Sequence, residues 1–297
     1  MKYIALGTSA SLATKERGLP GGLLLCDSVR GMIDCGEGTA RQLSVSGIGP
    51  QNISLIWLSH SHLDHYLGIA GLLWSLEITA PSTIMSVFCN LETASKVRRL
   101  VDCCGLDSVS IRIHAIDEGV FLKTRHAQWR TFSVHHTVPT LGLVIEEEPH
   151  RPFLASVAEE LGVPVGPVRA RLAAGKSVTL ATGQKIKADD VLGPSRPGRK
   201  MVYVPDTENF EGLVDVCRGA DLLVCESTYL GEAHALAKEF KHMTAKDAAN
   251  LAKRAAVKQL VLTHISPRVN PSEAQTEARA IFEATSVAHD FSVVMVR

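Results

Sequence analysis

The sequence lacks any imbalance of charge: 31 lysines and arginines stand against 31 aspartates and glutamates in 297 residues. No global positive field announces a polyanionic partner, although a local basic patch on a neutral protein can still bind nucleic acid. An apolar run long enough to span a bilayer is also missing. The most apolar helical stretch, YLGIAGLLWSLEITA, is too short and carries Glu77, so no membrane partner is expected. The opening MKYIALGTSAS reads as a strand entering a turn, without the apolar core or cleavage site of a signal peptide. Seven cysteines form an odd set with neither disulfide-framework nor zinc-ligand spacing, Cys103 and Cys104 being adjacent. They read as reduced core thiols, which places the chain in the cytoplasm. Short-period repeats and low-complexity tracts are absent as well.

What is present is an ordinary globular composition, 45% hydrophobic and 21% charged, with enough chain for a sizeable core. The first half alternates short apolar runs with turns (KYIALGT, GLLLCD, GMIDCG) and then with helical segments such as ETASKVRRLVDCCG. From about residue 146 to 197 the character changes. Segments such as GVPVGP, AAGKSVTL and GPSRPGRK are rich in glycine, proline and charge, and predict an inserted arm with little core of its own. The strand–helix rhythm then returns, KMVYVPD leading to NFEGLVDVCRGA and DLLVCEST to AHALAKEF. Two similar strand–helix halves predict an α/β sandwich with sheets inside and helices outside.

One segment concentrates chemistry. LSHSHLDHYLG puts His60, His62, Asp64 and His65 within six positions, directly after an apolar strand. Two apart on extended chain, His60 and His62 project the same way, and Asp64 and His65 follow where the chain turns into a helix. Imidazoles and a carboxylate suit zinc and tolerate manganese or iron, and four donors this dense can serve one ion or two. Other strand ends offer further ligands: His135 and His136 after TFSV, Asp206 after MVYVP, His264 after LVLT. Only one of the two adjacent histidines can point into a shared site while both remain extended. A single aspartate after a strand is ordinarily a turn or helix cap, and a single histidine a hydrogen-bonded core residue. The repetition of these residues at strand ends, beside the dense cluster, lifts Asp206 and His264 above those readings.

Together these segments resemble the metallo-β-lactamase superfamily, and within it the short form of the tRNA 3′-processing endonucleases, the tRNase Z family. The likeness runs almost end to end, through ALGTSASLATKERG, MIDCGEGTARQL, LSHSHLDHYLGIAGLL, HTVPTLGLVIEE, LGPSRPGRKMVYVPDT and EFKHMTAKDAANLAKRAAVKQLVLTHISPR. It implies an αβ/βα four-layer sandwich with a flexible arm inserted at about 146–197, and a site for two zinc ions. His60, His62 and His136 would hold one ion, Asp64, His65 and His264 the other, and Asp206 would bridge them. Asp64 would orient and deprotonate a water. His242, in KHMTAKDAA, would protonate the leaving 3′-oxygen with Glu226 holding its imidazole, while Thr244 caps the helix that follows.

The implied activity is removal of 3′ trailers from precursor tRNA by a homodimer in which the arm of one subunit serves the other's site. Lys15, Arg17, Arg169, Arg171, Lys176 and Arg268 would meet the substrate. The chain departs from the family pattern at the loop that usually reads P-x-K-x-R-N: ATKERG keeps Lys15 and Arg17, but Ala13 and Gly18 replace the proline and asparagine. Val269 stands where a tyrosine is usual. No departure removes a metal ligand. They admit a second expectation, a hydrolase of the same fold acting on another ester, amide or phosphodiester, small molecules included. An RNA-binding protein without catalysis is disfavoured because Asp64 and His242 accompany the full ligand set.

Overall fold

Short runs rich in Leu, Ile and Val, bounded by Gly, Pro and Asp, form strands here, and the central ones bury both faces. In the computed structural model, which describes all 297 residues, the chain forms two compact units, residues 1–146 with 199–297, and residues 147–198.

In the larger unit the first sheet receives β1 (Lys2–Gly7), β2 (Gly21–Cys26), β3 (Val29–Cys35), β4 (Leu55–Trp57), β5 (Ile84–Cys89) and β6 (Ser110–Ala115). The second begins with β7 (Gly119–Lys123), β8 (Ala127–Val134) and β9 (Thr140–Glu147). A small hairpin of the other unit, β10 (Val178–Thr179) and β11 (Lys185–Ile186), intervenes in sequence. The second sheet then resumes with β12 (Lys200–Val204), β13 (Leu222–Glu226), β14 (Leu260–Thr263) and β15 (Thr285–Val287). Strand β16 (Val293–Met295) crosses back to pair antiparallel with β1. Both sheets have seven strands, in the orders β16-β1-β2-β3-β4-β5-β6 and β15-β14-β13-β12-β9-β8-β7.

Period-two alternation separates the layers. On β12, Met201 and Tyr203 face the space between the sheets with Leu24, Ile33, Trp57, Trp129 and Leu143, while Val202 and Val204 face outward. The outward face is covered by helices Gly212–Cys217, Ala245–Arg254 and Pro271–Arg279, the small alanines of the last two letting them lie close. On the first sheet Met32, Ile56, Met85 and Val87 meet helices Thr39–Val45, Ile69–Thr79 and Leu91–Cys104. The larger unit is therefore a mixed α/β sandwich with helices outside two sheets. Trp57 and Trp129 are wholly buried at its middle, and cutting either to alanine is expected to cost about 3–5 kcal/mol.

Residues 147–198 differ from expectation in one respect. Helices Ala155–Glu160, Pro167–Ala173 and Ala188–Val191 enclose, with the hairpin, a core of their own made from Ala158, Val163, Leu172, Val178, Ile186 and Val191. Its apolar residues come singly or in short groups among charged residues, glycines and prolines, so no long continuous run betrays them. All seven cysteines are free. Five are buried, but Cys103 is exposed and Cys104 partly so, and these two are not core thiols. No helix is long and apolar enough to cross a membrane.

Candidate metal and acid–base centre

The parallel strands β12, β13 and β14 pair in register, Val204 beside Cys225 and Glu226 beside Thr263. Their carboxyl ends therefore present Asp206, Glu226 and His264 side by side, in the crevice where open α/β sheets place ligands. From the other sheet, the ends of parallel β3 and β4 bring Asp34 and His60 to the same edge. His62 occupies the N-cap position of the short helix Leu63–Tyr66 but makes no side-chain cap bond, so its imidazole is left to the site. Asp64 and His65 lie in that helix's single turn. Gly68 allows the turn to press on β3: a Cβ there would stand 1.9 Å from the Gly36 carbonyl oxygen.

The donors meet in two groups, and a third set, Asp206, His242 and His264, overlaps both at the same range. His60, His62, His136 and Asp206 form one, and Asp64, His65 and His264 the other, each with its ligand atoms within 4.8 Å of one another. His60 Nε2 lies 3.0 Å from His62 Nδ1, and His136 Nε2 lies 3.3 Å from the same atom. Asp206 stands between the groups: Oδ2 is 3.7 Å from His60, 3.8 Å from His136 and 3.5 Å from His65, and Oδ1 is 3.4 Å from His264. Asp64 Oδ2 is 3.7 Å from both His65 and His264. The choice between the adjacent histidines is settled by packing. His136 is buried in the cluster, whereas His135 is exposed and stacks on Phe210 at 4.0 Å between ring centroids. Asp206 is not a helix cap, since the next helix begins only at Gly212.

Whether this cluster suits a cation can be judged from its protonation. Burial lowers His60 well below the usual imidazole range, with His65 adding to the effect, and burial likewise lowers His62 and His136. Burial pushes Asp206 up, but His264 and His65 outweigh it and leave the carboxyl well below its usual range. Asp64 is lowered in the same way by His65 and His264 against burial. Neutral imidazoles and ionised carboxylates are the forms that bind metal. His65 is the exception: burial lowers it, but Asp206 and Asp34 outweigh burial and raise it well above the usual imidazole range, so a cation entering here displaces its proton. His65 Nε2, His264 Nε2 and Asp206 Oδ1 are buried without a hydrogen-bond partner and face one another. Each such orphan costs about 1–3 kcal/mol, a penalty that a divalent cation between them removes. The residues fit a divalent metal ion.

Outer partners hold the imidazoles. Asp34 Oδ2 accepts from His65 Nδ1 at 2.9 Å and from the Ser59 hydroxyl at 3.0 Å, while its Oδ1 accepts from Ser59 N at 2.8 Å. The Ser59 hydroxyl also lies 2.9 Å from His60 Nδ1. His136 Nδ1 donates to the Lys241 carbonyl at 3.0 Å, and His264 Nδ1 lies 2.9 Å from the Thr228 hydroxyl. Sequence reading missed Asp34, Thr228 and Lys241. Asp34 could have been found, because it too ends an apolar strand. A backbone carbonyl carries no sequence signal at all. Four of the eight non-glycine residues with positive φ border the site: Ser11, Asp34, Lys241 and His264. Such strain persists where the surroundings over-determine the chain.

His242 and Glu226 form a second constellation beside the first. His242 Nδ1 donates to Glu226 Oε1 at 2.8 Å. Glu226 is fully buried and also accepts from Thr207 N at 2.8 Å, Thr228 N at 3.2 Å and the Thr228 hydroxyl at 2.7 Å. Burial lowers the His242 imidazole, but Glu226, by charge and hydrogen bond, more than offsets this and raises it to about 9. Glu226 thus favours the cationic form of His242. Thr244 caps the helix Ala245–Arg254 through a reciprocal box with Asp247, and the chain just before this cap carries His242.

The expected substrate contacts divide. Lys15, Arg171, Lys176 and Arg268 are exposed, and Arg268 lines a cavity of about 620 Å³ that also has His242, Ser11, Tyr229 and Phe240 in its wall. Arg169 bends back to donate to the Val163 carbonyl. Arg17 does not reach solvent: it is 7% exposed, and Nη1 donates to the Thr8 hydroxyl and the Ala288 carbonyl, both at 2.8 Å. A guanidinium committed to the protein in this way is not free for substrate, and that expectation is corrected.

A family model described as the beta-lactamase superfamily domain matches residues 30–159 and 156–265. The ribonuclease Z of Bradyrhizobium diazoefficiens is 38% identical over 98% of both chains. That of Archaeoglobus fulgidus is 36% identical, covering 98% of this chain and 96% of its own. Among solved structures, human tRNase Z, short form, superposes with a TM-score of 0.72 at 21% identity over the full length of both. With its strand-end ligands and relatives alike from end to end, the chain belongs to the ribonuclease Z family of the β-lactamase superfamily.

Proposed function

We propose that this chain is an endoribonuclease that removes the 3′ trailer from precursor tRNA and leaves a 3′-hydroxyl on the tRNA, holding two zinc ions and acting in the cytoplasm as a homodimer. The observation that carries this reading is the meeting of two donor groups at Asp206 beside an imidazole held by a buried carboxylate. His60, His62 and His136 would hold one ion, Asp64, His65 and His264 the other, and Asp206 both. Such ions, when bound, supply Lewis acidity that neutralises phosphoryl oxygens and makes water a stronger acid.

The remaining work falls to side chains. Asp64, kept ionised by its neighbours and anchored through Oδ2 to the Ser11 N–H at 3.0 Å, orients the attacking water and accepts its proton. His242 binds Glu226 through Nδ1, so in its cationic form the Nε2 proton is the one available to the leaving 3′-oxygen. An alkoxide is a poor leaving group, and protonation at this point is what phosphodiester cleavage in RNA requires. Exposed Arg171 and Lys176, on the unit spanning 147–198, suit backbone phosphates of a large substrate, with salt-sensitive and sequence-independent affinity. In a homodimer this unit would serve the partner's site.

The test is cleavage of a precursor tRNA bearing a 3′ trailer by purified protein whose metal content is measured on the same sample. A cut directly after the unpaired base that follows the acceptor stem supports the reading. Hydrolysis of bis-(p-nitrophenyl) phosphate with no cut in the tRNA rejects it in favour of a small-molecule phosphodiesterase.

A further inference from the structure

The loop of residues 8–18 touches the ligand cluster at two points, and a buried arginine that the reaction does not use holds its neck. The Ser11 N–H donates to Asp64 Oδ2 at 3.0 Å. Ala10 N donates to the Ile265 carbonyl and Ile265 N to the Thr8 carbonyl, both at 3.0 Å, which straps the loop to the residue after His264. Asp64 and His264 are two of the three donors in one ligand group. The other histidines take their outer contacts elsewhere, His60 from Ser59 and His136 from Lys241.

Ser11 has a φ of 57°, a left-handed conformation that a serine leaves unless its surroundings prevent it. The restraint lies at the neck. Thr8 N and Ser9 N both donate to the Gly18 carbonyl, at 3.0 and 2.9 Å, and close the loop. Arg17 then ties this neck to the chain's last turn through the Thr8 hydroxyl and the Ala288 carbonyl, with Nη2 3.4 Å from His289 Nδ1. Asp290 completes the clamp, accepting from the Thr8 hydroxyl at 2.8 Å, Gly18 N at 2.7 Å and Gln42 Nε2 at 2.6 Å. Burying a guanidinium is costly unless its donors are satisfied, and here they are spent on joining the Thr8 hydroxyl to the turn at Ala288 and His289. The exposed tip, Leu12 to Glu16, makes no comparable demand.

We infer that Arg17, with Asp290, is a positioning residue: it locks the neck of the 8–18 loop so that the Ser11 amide keeps Asp64 turned into the cluster, and so sets the affinity of the Asp64–His65–His264 group for its cation. The inference rests on the two-ion reading above. Loss of the clamp frees Ser11 to relax, and Asp64 Oδ2 then loses its one hydrogen bond from outside the cluster. Outer partners of this kind are worth about 10–100-fold in metal affinity.

The experiment uses Arg17→Met, similar in length but neutral, and Arg17→Lys, which keeps the charge. Zinc is titrated into the metal-free proteins against a chromophoric chelator, and Asp64→Ala identifies which equivalent belongs to the Asp64 group. Amide hydrogen exchange is followed on the same metal-free samples. Arg17→Met should weaken the Asp64-group equivalent at least about tenfold, leave the other unchanged, and speed Ser11 exchange at least about tenfold while Leu55–Trp57 stays protected. Arg17→Lys should recover part of both effects. Ser11 exchange as slow as in the parent protein overturns the inference, as does equal weakening of both equivalents with a general loss of protection. Should the parent itself bind fewer than two zinc ions, the two-ion reading falls, and the exchange measurement still decides whether Arg17 restrains Ser11.

Discussion

Replacing Glu226 with glutamine should separate proton donation from every other part of catalysis. The carboxylate is fully buried and accepts four hydrogen bonds, one of them from His242 Nδ1. It holds the imidazole at about 9 against burial, which acts the other way. Without the negative charge, the imidazole should return to its ordinary 6.5 or below. At pH 8 the cationic fraction then falls from about 90% to about 3%, a loss of about thirtyfold. Because the acid must be protonated, activity is retained at low pH and disappears as pH rises through the imidazole's own value. The alkaline limb of kcat/KM should therefore move down by about two units or more. Positive charge bound in the cluster lowers both limbs together, so their separation is the quantity to measure. The assay compares trailer cleavage with hydrolysis of bis-(p-nitrophenyl) phosphate, whose leaving group needs no proton. The RNA reaction should lose about thirtyfold at pH 8 and the activated ester a few-fold at most. Equal losses on both substrates, or an unmoved limb, would refute the assignment of His242 as the acid.

Three further outcomes are expected. Asp34→Ala removes the acceptor of His65 Nδ1 and should lower the affinity of the Asp64 group for a divalent cation about 10–100-fold, with a smaller rise of melting temperature on adding that cation. Gly68→Ala forces a methyl group against the Gly36 carbonyl, and calorimetry should find it destabilised by about 2 kcal/mol or more, with the Asp64–His65 turn displaced and activity lost even where the protein folds. The double substitution Arg171→Glu with Lys176→Glu should raise KM for precursor tRNA at least tenfold, flatten its salt dependence and leave the small phosphodiester untouched; parallel loss on both substrates would show that the change acts on folding instead.

The site was legible in the sequence wherever chemistry is concentrated along the chain. His60, His62, Asp64 and His65 announce themselves because imidazoles and carboxylates rarely follow a buried strand together without a shared partner. Asp206 and His264 could be reached by asking what ends each strand. Asp34 ends a strand in the same way and escaped notice, since one aspartate before a cysteine and a glycine looks like a turn. Resemblance to relatives, and not the residues themselves, singled out His136 and His242.

Local pattern by itself determined most strands, most helices and the candidate donors His60, His62, Asp64 and His65, because each depends on neighbours a few positions away. Only tertiary structure decided which histidine of the pair 135–136 faces inward, that Lys241 lends a carbonyl, that residues 147–198 gather a small core, and that Arg17 turns into the protein. Those outcomes depend on what the other sheet or the chain's last turn places within 3 Å. Such proximity joins His136 to Lys241 across 105 positions and Arg17 to Ala288 across 271, distances over which sequence spacing carries no geometric information.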